Sequence, residues 1–166
     1  MDHFIIREVQ ASEIDACTEV IRQSFLTIAN EFGLTKENCQ TNGAFIENER
    51  LISEKQKGHL MFALHLKDEI VGFVALEDKQ SGVFALEKLS VLLKYRHLGY
   101  GKALLDFAKS MVLSLDGHKI IIGIIEENVR LKRWYEQYGF IHTGTKVFPH
   151  LPFTVGFMAL NINCAG

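Results

Sequence analysis

Proline is scarce in this chain, with two in 166 residues, so few positions forbid regular helix or strand outright. No apolar run approaches the roughly 18 residues that a membrane-crossing helix requires, which argues against a membrane partner. Charge of one sign is also lacking: 18 basic and 20 acidic residues give a net −2 and form no basic block. That balance argues against nucleic acid or an anionic surface as a partner. The three cysteines, Cys17, Cys39 and Cys164, are odd in number and widely separated. They have no metal or redox spacing and read as reduced thiols of a cytoplasmic protein. The histidines contain nothing like His-Glu-x-x-His, so no metal is expected. The opening Met1-Asp2-His3 lacks the basic-then-apolar layout of a secretory leader. What remains is an ordinary globular composition, 48% hydrophobic and 23% charged, at a length that suits one domain over residues 1–166.

Ile5 to Glu8 reads as a short opening strand. Ser12 is a candidate helix cap before Ile14, Cys17, Val20, Ile21, Phe25 and Ile28, which recur at three- and four-residue steps and fade near Gly33. A second helical stretch is expected over residues 43–56. Residues 60–66 and 70–76 flank Lys67-Asp68-Glu69 as a hairpin, and 83–92 form a third strand. A helix carrying Leu104, Leu105, Ala108, Met111 and Val112 on one face stops at Asp116-Gly117. Residues 118–125 are a nearly unbroken apolar run, as expected of a strand covered on both faces. Strand, helix and strand here predict a parallel, right-handed crossover. Asn128 opens a last helix, with Leu131, Trp134, Tyr135 and Tyr138 on one face and Gly139 at its end. Strands over 141–148 and 155–161 close the chain.

The most informative segment joins a strand to a helix: Arg96-His97-Leu98-Gly99-Tyr100-Gly101-Lys102. A helix N-terminus offers unpaired N–H groups and partial positive charge, which suit a pyrophosphate. Glycine at 99 and 101 leaves no Cβ in the way of close approach, and Arg96 and Lys102 supply charge-assisted donors. The spacing is neither that of the P-loop nor that of the dinucleotide fingerprint. By itself a Gly-x-Gly pair is more often only a turn.

Arg96-x-x-Gly99-x-Gly101-Lys102-Ala103-Leu104-Leu105, following Glu87-Lys88-Leu89-Ser90-Val91, resembles the acyl-CoA signature of the GNAT N-acetyltransferase superfamily. Asn128-x₆-Tyr135-x-x-x-Gly139-Phe140 resembles its second motif. The resemblance covers about residues 83–141. It implies an α/β (α+β) fold with a mixed, mostly antiparallel seven-stranded sheet, a central parallel βαβ unit and helices on both faces. It further implies acetyl-CoA as co-substrate and an amine as acceptor, with a homodimer as one common arrangement. A non-catalytic acyl-CoA-binding module, or transfer of another acyl group, would carry the same cofactor motifs.

The resemblance places the pantetheine arm against the backbone of Leu89, Ser90 and Val91, in a slot where that strand splays from the next parallel one. The pyrophosphate falls at His97, Leu98, Gly99, Tyr100, Gly101 and Lys102, and the oxyanion at a backbone N–H near Ser90 or Val91. Tyr135 would protonate the departing thiolate, and a phenol with a pKa of about 10 keeps its proton at neutral pH; periodicity alone makes it a core aromatic. Asn128 is explained as a helix cap, and the resemblance adds a contact to the CoA arm. Strand alternation puts Glu87 on the face of Leu89 and Val91. There it is the candidate base for an ammonium whose pKa is near 10, or else a strand-end carboxylate paired to a lysine. Glu126 is the next carboxylate in line, although Glu126-Glu127 reads first as a solvated strand end. For the acceptor, Glu31, Glu37, Glu47, Glu49 and the segment from Phe148 to Phe153 are the candidate lining.

Overall fold

The computed structural model describes residues 3–163, so Cys164 lies outside the described residues. The strands are β1 (Ile5–Glu8), β2 (Leu60–Leu66), β3 (Glu69–Asp78), β4 (Val83–Val91), β5 (Lys119–Ile125), β6 (Ile141–Val147) and β7 (Thr154–Asn161). The helices are α1 (Ile14–Glu31), α2 (Asn48–Gln56), α3 (Tyr100–Ser114) and α4 (Val129–Tyr138). One seven-stranded sheet runs in the order β1-β2-β3-β4-β5-β7-β6. Every neighbouring pair is antiparallel except β4 with β5, which α3 connects in parallel.

Helices cover both faces. On one, Cys17, Val20 and Ile21 of α1 and Leu51 of α2 pack on Met61, Ala63, Phe73 and Ala75. On the other, Leu104, Leu105, Ala108 and Val112 of α3 pack on Leu64, Val74, Leu76 and Leu86. Each Leu, Ile, Val, Phe or Met side chain among these, taken from water into the core, contributes about 1.5–3 kcal/mol. Cys17 is buried and free, and burial pushes its thiol up to about 12.

Several boundaries differ from the expectation, each for a local reason. The first helix is opened not by Ser12 but by a 3-10 turn at Ala11–Glu13, where the Glu13 carboxylate accepts the Gln10 N–H at 2.9 Å. A carboxylate three residues on closes the chain start more tightly than a serine hydroxyl would. The second helical stretch is a 3-10 turn at Gly43–Phe45 followed by α2, because Ile46 and Glu47 are extended between them. The β2–β3 turn is Lys67-Asp68 alone: Lys67 takes φ 55°, so Glu69 already pairs with Leu66. β4 ends at Val91, and a 3-10 turn at Leu93–Tyr95 follows. β5 is not covered on both faces. Ile120, Ile122 and Ile124 are buried toward α3, while Ile121 and Gly123 face open space on the side of α1 and α2.

Candidate functional site

That open space is a split in the sheet. β4 and β5 pair only at Val83–Lys119, Phe84–Ile120 and Ala85–Ile121. Beyond Ala85 each strand continues, β4 along β3 and β5 along β7, with no ladder partner across the gap. The cause lies in β4. Ala75 stands opposite Glu87 and Phe73 opposite Ser90, so Lys88 and Leu89 together oppose Val74, and Lys88 is forced to φ 54°. An extra residue in one strand bends it and increases its twist, which carries the end of β4 away from β5. The cleft so opened has a volume of about 1240 Å³ and runs through the sheet. Gly99, Gly101, Trp134 and Tyr135 line it on the α3–α4 side, and Phe25, Glu54, Glu87 and Phe153 on the α1–α2 side.

The same bulge corrects the expected placement of Glu87. Simple alternation would put it with Leu89 and Val91, but the added residue shifts the phase. Leu89 and Val91 pack into the α3-side core. Glu87, opposite Ala75, and Ser90, opposite Phe73, face α1 and α2. Glu87 therefore lies across the split from the groups that approach it from α3 and α4.

At the start of α3, Gly99 takes φ 93°, a left-handed conformation that suits glycine, and no side chain caps the helix. The first-turn amides thus face the cleft mouth, where His97, Leu98 and Gly99 are exposed. Tyr100 is buried, edge-on to Phe4 at 5.8 Å, so only its backbone is available there. Gly101 serves a second purpose: a Cβ there would stand 3.3 Å from Cζ2 of Trp134, so the glycine lets α4 close on α3. Lys102 is exposed and paired with Asp106 at 3.0 Å. Arg96 differs from the expectation of a free phosphate donor. Its guanidinium donates to the Val91 carbonyl (3.2 Å), Thr27 Oγ1 (3.1 Å) and the Ser24 carbonyl (2.8 Å), tying α1 to the end of β4. Burial lowers its pKa.

Tyr135 is 5% exposed and held edge-on between Trp134 (5.0 Å) and Phe140 (5.2 Å). Its side chain belongs to the core and also borders the cleft. Burial raises its pKa, so the phenol stays protonated. Asn128 caps α4, its Oδ1 accepting the Leu131 N–H at 3.3 Å, and also borders the cleft.

The acetyltransferase (GNAT) domain family matches this chain over residues 32–154. The chain belongs to the GNAT acetyltransferase family. No curated protein sequence matches it, but solved structures of the same fold do. The ribosomal-protein-S18-alanine N-acetyltransferase from Escherichia coli superposes with a TM-score of 0.77 at 16% identity, over 99% of this chain and 97% of that one. An aminoglycoside 6′-N-acetyltransferase complexed with coenzyme A gives 0.73 at 18% identity, over 98% and 99%. The Salmonella typhimurium protein yncA, solved with its cofactor acetyl-CoA, gives 0.73 at 16%, over 98% and 96%.

On the α1–α2 side of the split, this GNAT domain gathers a cluster of charge that the sequence pattern did not reveal. Glu87 lies beside Glu77, its diagonal neighbour on β3, and beside His59 of the α2–β2 connection. Burial and then the Glu77 carboxylate hold the Glu87 carboxyl above the usual carboxylate range, while the hydrogen bond shared with Glu87 keeps Glu77 below it. Lys88 is turned back by its left-handed backbone and reaches Glu54 at 2.6 Å and Glu87 at 3.3 Å. Burial pushes Glu54 upward, but Lys88 and Arg50 outweigh it and hold Glu54 low. Ligand atoms of Glu54, His59 and Glu87 lie within 4.8 Å of one another, a spacing a metal ion could use. The Lys88 ammonium already supplies the positive charge between those carboxylates and competes with an ion for them.

Glu126 follows the end of β5, partly exposed and outside the cleft lining, but it is not free. It pairs with Lys132 and accepts from or faces His142 at 2.9 Å, and these two partners hold its pKa down. A carboxylate so stabilised in its ionised form is a weak base. Of the expected acceptor lining, Glu31, Leu151 and Phe153 border the cleft. Glu47 is instead paired with Arg22 at 2.8 Å, and neither Glu37 nor Glu49 is among the cleft residues. Two further carboxylates that line it, Glu54 and Glu77, come from the end of α2 and from β3. No periodic signal marks them, because the cluster is assembled by cross-strand and helix-to-strand packing.

Proposed function

We propose that the whole chain acts as one N-acetyltransferase domain, moving an acetyl group from acetyl-CoA to a primary amine by direct attack in a ternary complex. The observation that carries this reading is the split between β4 and β5. An uncapped helix N-terminus lies at one mouth and a carboxylate of raised pKa on the far face. The pyrophosphate binds the amides from His97 to Lys102, and the pantetheine arm adds to the unpaired edge at Leu89, Ser90 and Val91, as an extended ligand adds to a sheet edge. Asn128 borders that arm.

The acceptor enters from the α1–α2 side. Glu87 removes one proton from its ammonium, and the neutral nitrogen attacks the thioester carbon. The tetrahedral oxyanion is held by a backbone N–H near Ser90 or Val91. Collapse breaks the C–S bond, Tyr135 gives its proton to the thiolate, and the second surplus proton of the nitrogen restores the phenol, leaving a neutral amide. A raised phenol pKa favours this role, because the group is protonated when the leaving thiolate forms. Released CoA thiol, followed while acetyl-CoA is incubated with a panel of primary amines, tests the reading. Thiol should appear at an amine-dependent rate. Tight binding of acetyl-CoA with no thiol release for any amine would mean a binding module instead.

A further inference from the structure

His59 stands within 4.0 Å of three carboxylates of the charge cluster. Its Nδ1 is buried and makes no hydrogen bond, an arrangement that costs stability. That nitrogen stands 3.6 Å from Glu87 Oε2, and Nε2 stands 3.8 Å from Glu77 Oε1. The charged groups around the ring are Glu54 of α2, bonded to Arg50 and Lys88, then Glu87 and Lys88 of β4, and Glu77 and Lys79 at the end of β3. The side chain is 27% exposed at Glu87, 13% at His59, 31% at Glu77 and 46% at Lys79, so the ring joins Glu87 to the more exposed end of β3.

We propose that His59 is a positioning residue for the transfer reaction, acting through Glu87 as the outlet for the proton that Glu87 takes from the acceptor. The inference rests on the acetyl-transfer reading. Once acetyl-CoA and acceptor fill the cleft, they cover the side of Glu87 that water would otherwise reach, so the proton needs another exit. The relay uses the tautomer with the proton on Nε2, toward Glu77, and the Nδ1 lone pair toward Glu87. Glu87, protonated by the ammonium, passes that proton to Nδ1 and is again a carboxylate. The imidazolium, stabilised by the Glu77 carboxylate, then loses its other proton from Nε2 to solvent on the Glu77 side of the ring, and exchange between turnovers restores the starting ring. Both gaps are within a side-chain rotation or one bridging water of hydrogen-bond length.

The test measures turnover against pH and against buffer concentration, using acetyl-CoA and whichever primary amine of the panel the wild type acetylates fastest. Acetyl-CoA affinity and Tm are followed in parallel for wild type, His59→Gln, Glu77→Gln and Glu87→Gln. A lost proton path costs less than a lost base, so His59→Gln should lose about tenfold in kcat, against on the order of 10²-fold for the base itself. Acceptor KM should hold, and turnover should now rise with buffer concentration, because external buffer replaces the outlet. Glu77→Gln should show the same buffer dependence more weakly. A His59→Gln profile that overlays the wild type, independent of buffer, overturns the inference and leaves the Glu87 reading standing. Slow turnover without buffer dependence, accompanied by lower Tm or weaker acetyl-CoA binding, marks a structural role and also overturns it. A Glu87→Gln profile that overlays the wild type removes the base itself.

Discussion

Gly101→Asp separates stability from cofactor binding more cleanly than any other change at the start of α3. The new Cβ stands 3.3 Å from Trp134 Cζ2 and 3.7 Å from Cη2, so the indole must yield by a few tenths of an ångström. Overpacking of this kind costs about 1–3 kcal/mol. A carboxylate in the first helical turn gives back about 0.3–1 kcal/mol through the helix dipole. The net loss, roughly 1 kcal/mol, lowers Tm by about 2–4 °C in a domain of this size. Binding responds differently. A carboxylate about 4–5 Å from a pyrophosphate charge, at an effective dielectric near 20, costs about 3–4 kcal/mol. Acetyl-CoA affinity should therefore fall roughly 100-fold or more. Calorimetric titration with acetyl-CoA reads this directly, and Gly101→Ala, which adds the methyl group without the charge, isolates the steric part. If Gly101→Asp bound acetyl-CoA within threefold of wild type, the pyrophosphate would not lie at this helix end.

Tyr135→Phe should retain acetyl-CoA affinity and lose on the order of 10²-fold in turnover; unchanged turnover would leave Tyr135 a core aromatic held by Trp134 and Phe140. Glu54→Gln strips the 2.6 Å partner from Lys88, which is 9% exposed and keeps only Glu87, so thermal unfolding should report a loss of about 2–3 kcal/mol. In that variant the Lys88 ammonium serves Glu87 alone and favours its charged form, so the acid limb of the pH–rate profile should move to lower pH. Asn128→Ala removes the cap of α4 and should cost about 1 kcal/mol in denaturant unfolding, with any larger loss in acetyl-CoA affinity measuring a separate contact to the CoA arm.

The order of elements, the parallel crossover and the glycine-bearing turn into α3 were all legible in the amino-acid sequence, because each depends on local periodicity or on glycines at a strand-to-helix junction. Apolar steps at three and four residues predict α1 and α3, and Gly99 with Gly101 marks the turn that enters α3. The face of Glu87 was not legible. It hinges on one extra residue at Lys88, and a bulge is set by how β4 registers on β3, not by composition along β4. The same bulge opens β4 from β5 and turns Lys88 back onto Glu54. Arg96 carries no local mark of its partners either, since Ser24 and Thr27 lie some 70 residues away on α1. Nor does any pattern join His59, Glu77 and Glu87, which come from three separate segments and meet only when α2 packs across the strands. Sequence by itself determined the scaffold and the turn that borders the cleft at α3, where the signal resides in contiguous residues. Tertiary structure alone decided the charged side of the cleft beside α2, where side chains from distant segments share one pocket and set one another's charge.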